Sequence, residues 1–498
     1  MRILVLVLAL LSSTRAQDKC NPRVYDYDSV VCVCDASYCD NPGIITFPEK
    51  GKFTLVTSTK DGLRFNVEEF PVSNEEDPDA VVVTINPEDE YQTILGFGGA
   101  FTDSTGLNVV SLPEEAQEHF YNSYFTSEGI GYTIGRIPIA GADCSTRTYS
   151  YDDVAGDVDL QHFNLTFEDY DYKIPVIKRA KELSPELKLF GSPWSPPAWM
   201  KTNGMFNQSG TLIKEYWQPW ANYIVKFLDA YEAEGVELWG LTPQNEPMGG
   251  FHADWHINVC GWTSLDMRDW IKNNLGPTLQ AAGYRRLKMM VDDFNRDTLT
   301  WYVEPMLEDP DSAQYIDGIA IHWYEDKYVG PHILDKTQAL APDKFLLYSE
   351  ACFEKGVKLG SWDRGMEYLH FMMEALNHHC VGWVDWNLAL DTEGGPNWAS
   401  NWLDAPIIIN PEAGEFYKEP IFYAIGHLSK FVEPGAVRIS STTTDYMLDV
   451  AAFNDPSGRK VVVLLNRGDA EIKVSLTDGS DVFVNFGMEA GAIQTILY

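Results

Sequence analysis

Two glutamates stand where apolar runs break off. Glu246 follows VELWGLT in the stretch PQNEPMGG, and Glu350 ends KFLLYSE. A charge at the tip of a burial-competent strand adds nothing to packing, whereas a partly desolvated carboxyl group is suited to proton transfer. A facing pair of such groups is what glycosidic cleavage requires. One protonates the leaving oxygen, and the other attacks the anomeric carbon or activates water. A separation of about 5–5.5 Å gives retention and about 6.5–9.5 Å gives inversion. Either glutamate alone reads as a helix cap or a salt-bridge partner; the pair, with Asn245 before the first, reverses that reading. To act as an acid, Glu246 needs a raised pKa, which burial and neighbouring negative charge supply. Asn245 offers a neutral donor to a sugar 2-hydroxyl. Glu350 must stay ionised to attack, which requires donors such as Arg136 and Tyr324.

Such side chains need a frame that gathers strand ends from distant parts of the chain. Eight short apolar stretches qualify as strands: TILGFGG, GYTIGRIPI, KLFGSP, VELWGLT, LKMMVDD, GIAIHWY, KFLLYSE and VGWVDWNLAL. Each is followed by a helix-capable segment, of which residues 215–231 are the clearest, with Trp220, Tyr223, Ile224, Phe227, Leu228 and Tyr231 on one face. The alternation predicts a (β/α)8 barrel over residues 93–429, with its site at the carboxyl ends of the strands. Arg136 and Asp143 then follow strand two, Trp194 strand three, and Asn245 and Glu246 strand four. His322, Trp323 and Tyr324 belong to strand six, Glu350 to strand seven, and Asp385, Trp386 and Asn387 to strand eight. The two glutamates, about three βα units apart, face each other across the mouth. A doubly wound sheet alternates similarly, but GFGGAF lacks the third glycine of a dinucleotide fingerprint and reads as a tight strand-end turn. Residues 17–92 and 430–498 read as short alternating strands, and together they predict one β-sandwich domain.

With 73 acidic against 37 basic residues the formal charge is −36, which excludes general affinity for nucleic acid. The same acidity suits an acidic compartment, where protonation relaxes self-repulsion. Residues 1–16 have the layout of a secretory signal peptide, and no other stretch is long and apolar enough to span a bilayer. The sequons at Asn164 and Asn207 fit an exported chain. Four cysteines crowd the mature N-terminus. Cys32 and Cys34 point to opposite strand faces, so Cys20–Cys32 with Cys34–Cys39 is the expected pairing. Zinc is the competing reading, without a nearby histidine to support it. His252 and His256 have metal-helix spacing but no third ligand and read as loop residues; no metal is expected. Ser349 and Cys352, beside Glu350, have no evident histidine base.

Longer motifs carry a family likeness. GFGGAFTD, GYTIGRIPIAGADCSTRTY, SPWSPPAWMKTNG, QNEP, IHWY, YSEAC, DWNLALDTEGGPNW and FYAIGHLSKF, in this order, closely resemble the animal lysosomal glucosylceramidases of glycoside hydrolase family 30. The resemblance covers nearly the whole mature chain. It implies a (β/α)8 barrel with an attached β-sandwich, cleavage of glucosylceramide to glucose and ceramide with retention, and no cofactor. Carried over by motif, Glu246 is the acid/base and Glu350 the nucleophile. Asp143, Trp194, Trp386 and Asn401 bind glucose hydroxyls, Asn245 serves the 2-hydroxyl, and Arg136 and Tyr324 support the carboxylates at the sugar site. The resemblance also implies delivery to lysosomes, with secretion as the alternative. It further implies work on glucosylceramide in membranes or micelles, assisted by a saposin-type activator and anionic lipid. Phe294, Trp402 and the loop MGGFHADWHINVCGW depart from the familiar mammalian pattern, on the aglycone side. Two other classes compete: a related polysaccharide hydrolase, and a sugar-binding protein without turnover.

Overall fold

In the computed structural model, which describes residues 18–498, eight parallel strands close into a barrel. They are β1 (Gly96–Ala100), β2 (Ile134–Ile139), β3 (Lys188–Pro193), β4 (Gly240–Leu241), β5 (Lys288–Asn295), β6 (Gly318–His322), β7 (Phe345–Glu350) and β8 (Cys380–Asn387). The ladder runs in chain order, and β8 pairs with β1 to close it. Ile134, Phe190, Met290, Ala320, Leu347 and Val384 pack in the interior, so the barrel is a filled core and its chemistry is confined to the rim. The leader assigned to residues 1–16 lies outside the described residues.

The glycine run GFGGA forms β1 itself and is not the turn expected from its composition. A Cβ on Gly98 would lie 1.8 Å from the Ile134 carbonyl oxygen, so glycine there permits close approach of β1 and β2. The helix expected at 215–231 runs Trp217–Ala233 and buries the predicted face. β4 is shorter than VELWGLT suggests, but the barrel pattern continues beyond it: Thr242 N–H donates to Gly191 O (2.9 Å) and Asn245 N–H to Pro193 O (2.9 Å).

Both chain ends contribute to a nine-stranded sheet. Phe483–Met488, Ile472–Thr477, Val81–Thr93, Val437–Thr443, Leu448–Asn454, Lys460–Asn466, Ile493–Leu497, Lys52–Ser58 and Asn66–Pro71 are neighbours in that order. Ser73 and Phe483 bridge the two outer strands, which wraps the sheet into a sandwich around Phe53, Leu55, Val83, Val462, Leu464 and Ile496. This fits alternating segments that could not cover their apolar faces separately.

The first third of 17–92 departs from expectation. Pro22–Val24 and Val30–Cys34 join a five-stranded sheet with Glu415–Lys418, Ile407–Asn410 and Ala389–Asp391, not the sandwich sheet. The reason lies in the side chains: Val31 and Val33 bury against Leu390, Ile408 and Tyr417 in a cluster that also contains Trp194 and Trp386. Cys32 and Cys34 share the opposite face and do not point to the two faces expected of them, because side chains two positions apart on a strand lie on the same side; the expected Cys20–Cys32 and Cys34–Cys39 disulfides nevertheless form. Cys144, Cys260, Cys352 and Cys380 are buried free thiols. Cys20–Cys32 closes a short loop that anchors this sheet. The double variant C20S/C32S is expected to lose about 2–3 kcal/mol, read as a lower urea midpoint.

Candidate active site

Arg136 projects from β2 into the barrel mouth and is fully buried. Its guanidinium donates to Glu350 Oε2, to Asn245 Oδ1 (2.8 Å), to Asp293 Oδ2 (2.8 Å) and to Ser192 Oγ (3.2 Å). It lies over the stacked pair Trp194 and Trp386, whose rings are 4.9 Å apart. One planar cation therefore ties the ends of strands two, three, five and seven to the segment after strand four. Replacing it leaves the buried carboxyl groups of Asp293 and Glu350 with only His322 as a cationic partner. R136M is expected to lose about 3–5 kcal/mol in urea unfolding. R136K, which keeps the charge without the fork, is expected to fall between wild type and R136M.

Glu350 ends β7. It accepts from Arg136 and, on Oε1, from the Tyr324 hydroxyl (2.7 Å). Glu246 lies past β4 with a left-handed backbone (φ 48°), as do Asp292 (φ 77°) and Asp293 (φ 53°) at the irregularity in β5. The Glu246 N–H donates to Asp293 O (3.0 Å), which holds these two unusual segments together. An oxygen of Glu246, an oxygen of Glu350 and a ring nitrogen of His322 all lie within 4.8 Å of one another.

His322 ends β6 with Nδ1 3.4 Å from Glu246 Oε1 and Nε2 3.1 Å from Asp293 Oδ1. Burial alone would lower its pKa, but the carboxylates of Glu350, Asp293 and Glu246 outweigh this and push it up to about 10. Asp293 shows the opposite result. Burial opposes its ionisation, yet Arg136, His322 and Ser349 hold its carboxyl far below the usual range. Arg136 and His322 thus balance Asp293 and Glu350, and an ionised Glu246 would be an uncompensated charge. Burial, followed by the charges of Glu350 and Asp143, raises the Glu246 pKa against the pull of His322. With His322 held as a cation, its ring nitrogens carry protons and are poor metal ligands. The other cluster of metal-ligand type among the described residues, Cys34, Cys39 and Asp40, is occupied by a disulfide.

A cavity of about 620 Å³ opens at this point. Asp143, Trp194, Glu246, Tyr324, Glu350, Trp386 and Asn401 all line it, while Arg136 and Asn245 stand behind its wall. Asn401 Nδ2 donates to Asp143 Oδ2 (3.0 Å), and Asn397 Nδ2 donates to the same oxygen (3.2 Å). Trp323 turns away to donate to Cys352 O (2.9 Å), and Asn387 supports from behind by donating to Cys144 Sγ (3.3 Å). Asp385 accepts from Tyr368 and stays outside the lining. His252 and His256 are on the loop after the short turn Gly249–Phe251 and line the cavity with Phe294. Of the two sequons, Asn164 is exposed; Asn207 is half-buried with Nδ2 donating to His256 O (3.2 Å). Sequence reasoning gave no role to Asp293 or Asn397 and placed His322 on the rim without one. The signal for Asp293 was the acidic pair ending VDD, an unusual finish for a buried strand.

The glycosyl hydrolase family 30 TIM-barrel domain matches residues 94–432, and the family's β-sandwich domain matches residues 435–496. The chain belongs to glycosyl hydrolase family 30. Lysosomal acid glucosylceramidase of Mus musculus is 40% identical over 494 residues, 96% of this chain and 95% of that protein. An endo-1,6-beta-D-glucanase of Neurospora crassa is 30% identical, over 78% of this chain and 82% of its own. Among solved structures, SrfJ from Salmonella typhimurium superposes with a TM-score of 0.85 at 30% identity, covering 90% of this chain and 99% of its own. The rim described above is therefore that of a family 30 glycoside hydrolase.

Proposed function

We propose that this family 30 enzyme is a retaining β-glucosidase acting on glucosylceramide, with Glu350 as nucleophile and Glu246 as acid/base. The supporting observation is the approach of the two carboxyl groups, whose nearest oxygens are within 4.8 Å; this suits direct attack better than a gap filled by water. Glu350 forms a bond to the anomeric carbon as the bond to the leaving oxygen breaks, and Glu246 gives that oxygen its proton. Glu246 then takes a proton from water, which displaces Glu350 from the sugar. Asp143 and Asn401 face the glucose hydroxyls, and Trp194 and Trp386 give the ring an apolar platform. Asn245, fixed by Arg136, serves the 2-hydroxyl, and Tyr324 steadies Glu350.

The name of the mouse relative, 40% identical along nearly the whole chain, supports the lipid substrate and a lysosomal site of action. Among the described residues no helix is long and apolar enough to cross a membrane. On this reading the enzyme meets its substrate at a membrane or micelle surface, with a saposin-type activator and anionic lipid as assistants. It enters the secretory pathway by a cleaved leader and carries glycans on Asn164 and Asn207.

A cyclophellitol-type inactivator at mildly acidic pH, followed by peptide mapping, is expected to place the adduct on Glu350. Release of ceramide from glucosylceramide micelles should be lost in parallel. The fungal relative favours a second reading, an endo-acting glucan hydrolase. Release of oligosaccharides from β-1,6-glucan, with glucosylceramide left intact, would replace the first reading with it.

A further inference from the structure

A second buried charge cluster lies behind the loop that follows β2, outside the cavity lining. Its cation is Lys173, fully buried at the end of a single π-helical turn, Asp169–Lys173, a form of backbone frequent at functional sites. The ammonium is 3.0 Å from Asp169 Oδ1 and 3.4 Å from Asp103 Oδ1, and it donates to Pro138 O (3.3 Å) on β2. Burial works against this charge, but the two aspartates outweigh it and raise the Lys173 pKa. Asp169 also accepts from the hydroxyls of Tyr151 and Tyr231 (2.7 Å each). Asp103 opens the helix Asp103–Val110 after β1. Its Oδ2 accepts from Ser145 Oγ (2.6 Å) and from the Tyr149 hydroxyl (2.8 Å). Stability alone does not account for such a group, because an apolar set of similar volume is often as stable as a buried ion triad.

What the cluster fixes is the irregular loop between β2 and Tyr149, which carries Asp143. Ser145 Oγ accepts from the Ala142 N–H (3.1 Å) while donating to Asp103, so one carboxylate governs the chain on both sides of Asp143. The Ser104 N–H, next to Asp103, donates to Cys144 O (3.1 Å). The loop is thus held from behind, while Asn397 and Asn401 hold the Asp143 carboxylate itself. Resting on the glucosidase reading above, we infer that Asp103, with Lys173 as its counter-ion, is a positioning residue for glucose recognition, acting through Ser145 on Asp143. An asparagine has the same shape but cannot do this. With its oxygen towards Ser145 and Tyr149, its NH2 opposes the Lys173 ammonium; turned the other way, its NH2 opposes two hydroxyl donors. Either way the loop is held less firmly.

The test is a double-mutant cycle on the full chain, read with a neutral aryl β-glucoside at mildly acidic pH. D103N is expected to raise KM about tenfold with kcat little changed, the pattern of lost binding common to ground state and transition state. D143N should raise KM by at least as much. In D103N/D143N the first substitution should add less than about twofold, because the residue it acts through is already disabled. S145A, a smaller change on the same route, should raise KM about threefold in the wild-type background and leave it unchanged in D143N. The S145A cycle decides the matter if D103N does not fold. A purely structural Asp103 would lower the urea midpoint and leave KM unmoved. Unchanged KM in folded D103N and S145A, or losses that multiply in the double variants, would overturn the inference. Wild type that turns over no β-glucoside would remove the glucosidase reading, and this inference with it.

Discussion

E350Q is expected to lower kcat/KM for every β-glucoside by on the order of 10⁵-fold, whatever the leaving group. The size follows from the role. A glutamine cannot form the glycosyl ester, and what remains is binding and polarisation by the surrounding groups. The substitution preserves shape: the amide oxygen can still accept from Arg136, while the amide NH2 replaces the oxygen that faced Tyr324, whose hydroxyl can turn to accept from it. The buried cation also keeps Asp293, so the fold should survive better than in R136M. Rate loss with little change in the urea midpoint would separate a catalytic role from a structural one. A loss below about tenfold would mean that another group attacks, and peptide mapping of the inactivator adduct would identify it. Small carboxylates such as formate should restore part of the activity to E350A, because the vacated space lies between donors already aimed at an anion.

How much of this site could be read in advance depended on whether a residue announces itself locally. The eight strands did so through apolar runs of strand length bounded by turn residues, and the helix at Trp217–Ala233 did so through its periodicity. Glu246 and Glu350 stood out because they end such runs, and the ring of indoles and amides followed once the strand ends were read together. His322 and Asp293 were harder. A histidine on GIAIHWY and an aspartate in VDD look like ordinary strand residues. Their importance arises from a charge balance among Arg136, Glu350 and Glu246 that only the closed barrel brings together. The fate of the N-terminal strand pair was likewise non-local. VVCVC alternates equally well for either sheet, and the choice is made by residues 389–418, hundreds of positions away. The GFGGA run was misread because glycine's two uses, turning and close approach, leave the same mark on a sequence.

Glu246→Ala should behave differently from E350Q, and the difference is diagnostic. General acid–base assistance is worth roughly 10²–10⁴-fold, and that loss is expected with glucosylceramide or an alkyl glucoside, whose leaving oxygen needs a proton. With a dinitrophenyl glucoside the first step needs no acid, so the covalent glucosyl–Glu350 species should accumulate, and azide should discharge it as the β-glucosyl azide. The pH profile supplies the sign. In the proposed mechanism Glu246 is protonated in the first step, so activity should fall as pH rises through its pKa. Burial and the charges of Glu350 and Asp143 raise that pKa and carry the alkaline limb towards neutrality. In E246A the limb should vanish for the activated substrate. The same charges would let one carboxyl group serve both proposed steps. Esterification of Glu350 removes a negative charge beside Glu246 and lowers its pKa, while His322, held as a cation, continues to favour the carboxylate. On the proposed roles, the acid of the first step would thereby become the base of the second. An alkaline limb that persists unchanged in E246A would assign the proton to another group on the rim, with Asp143 the next to test.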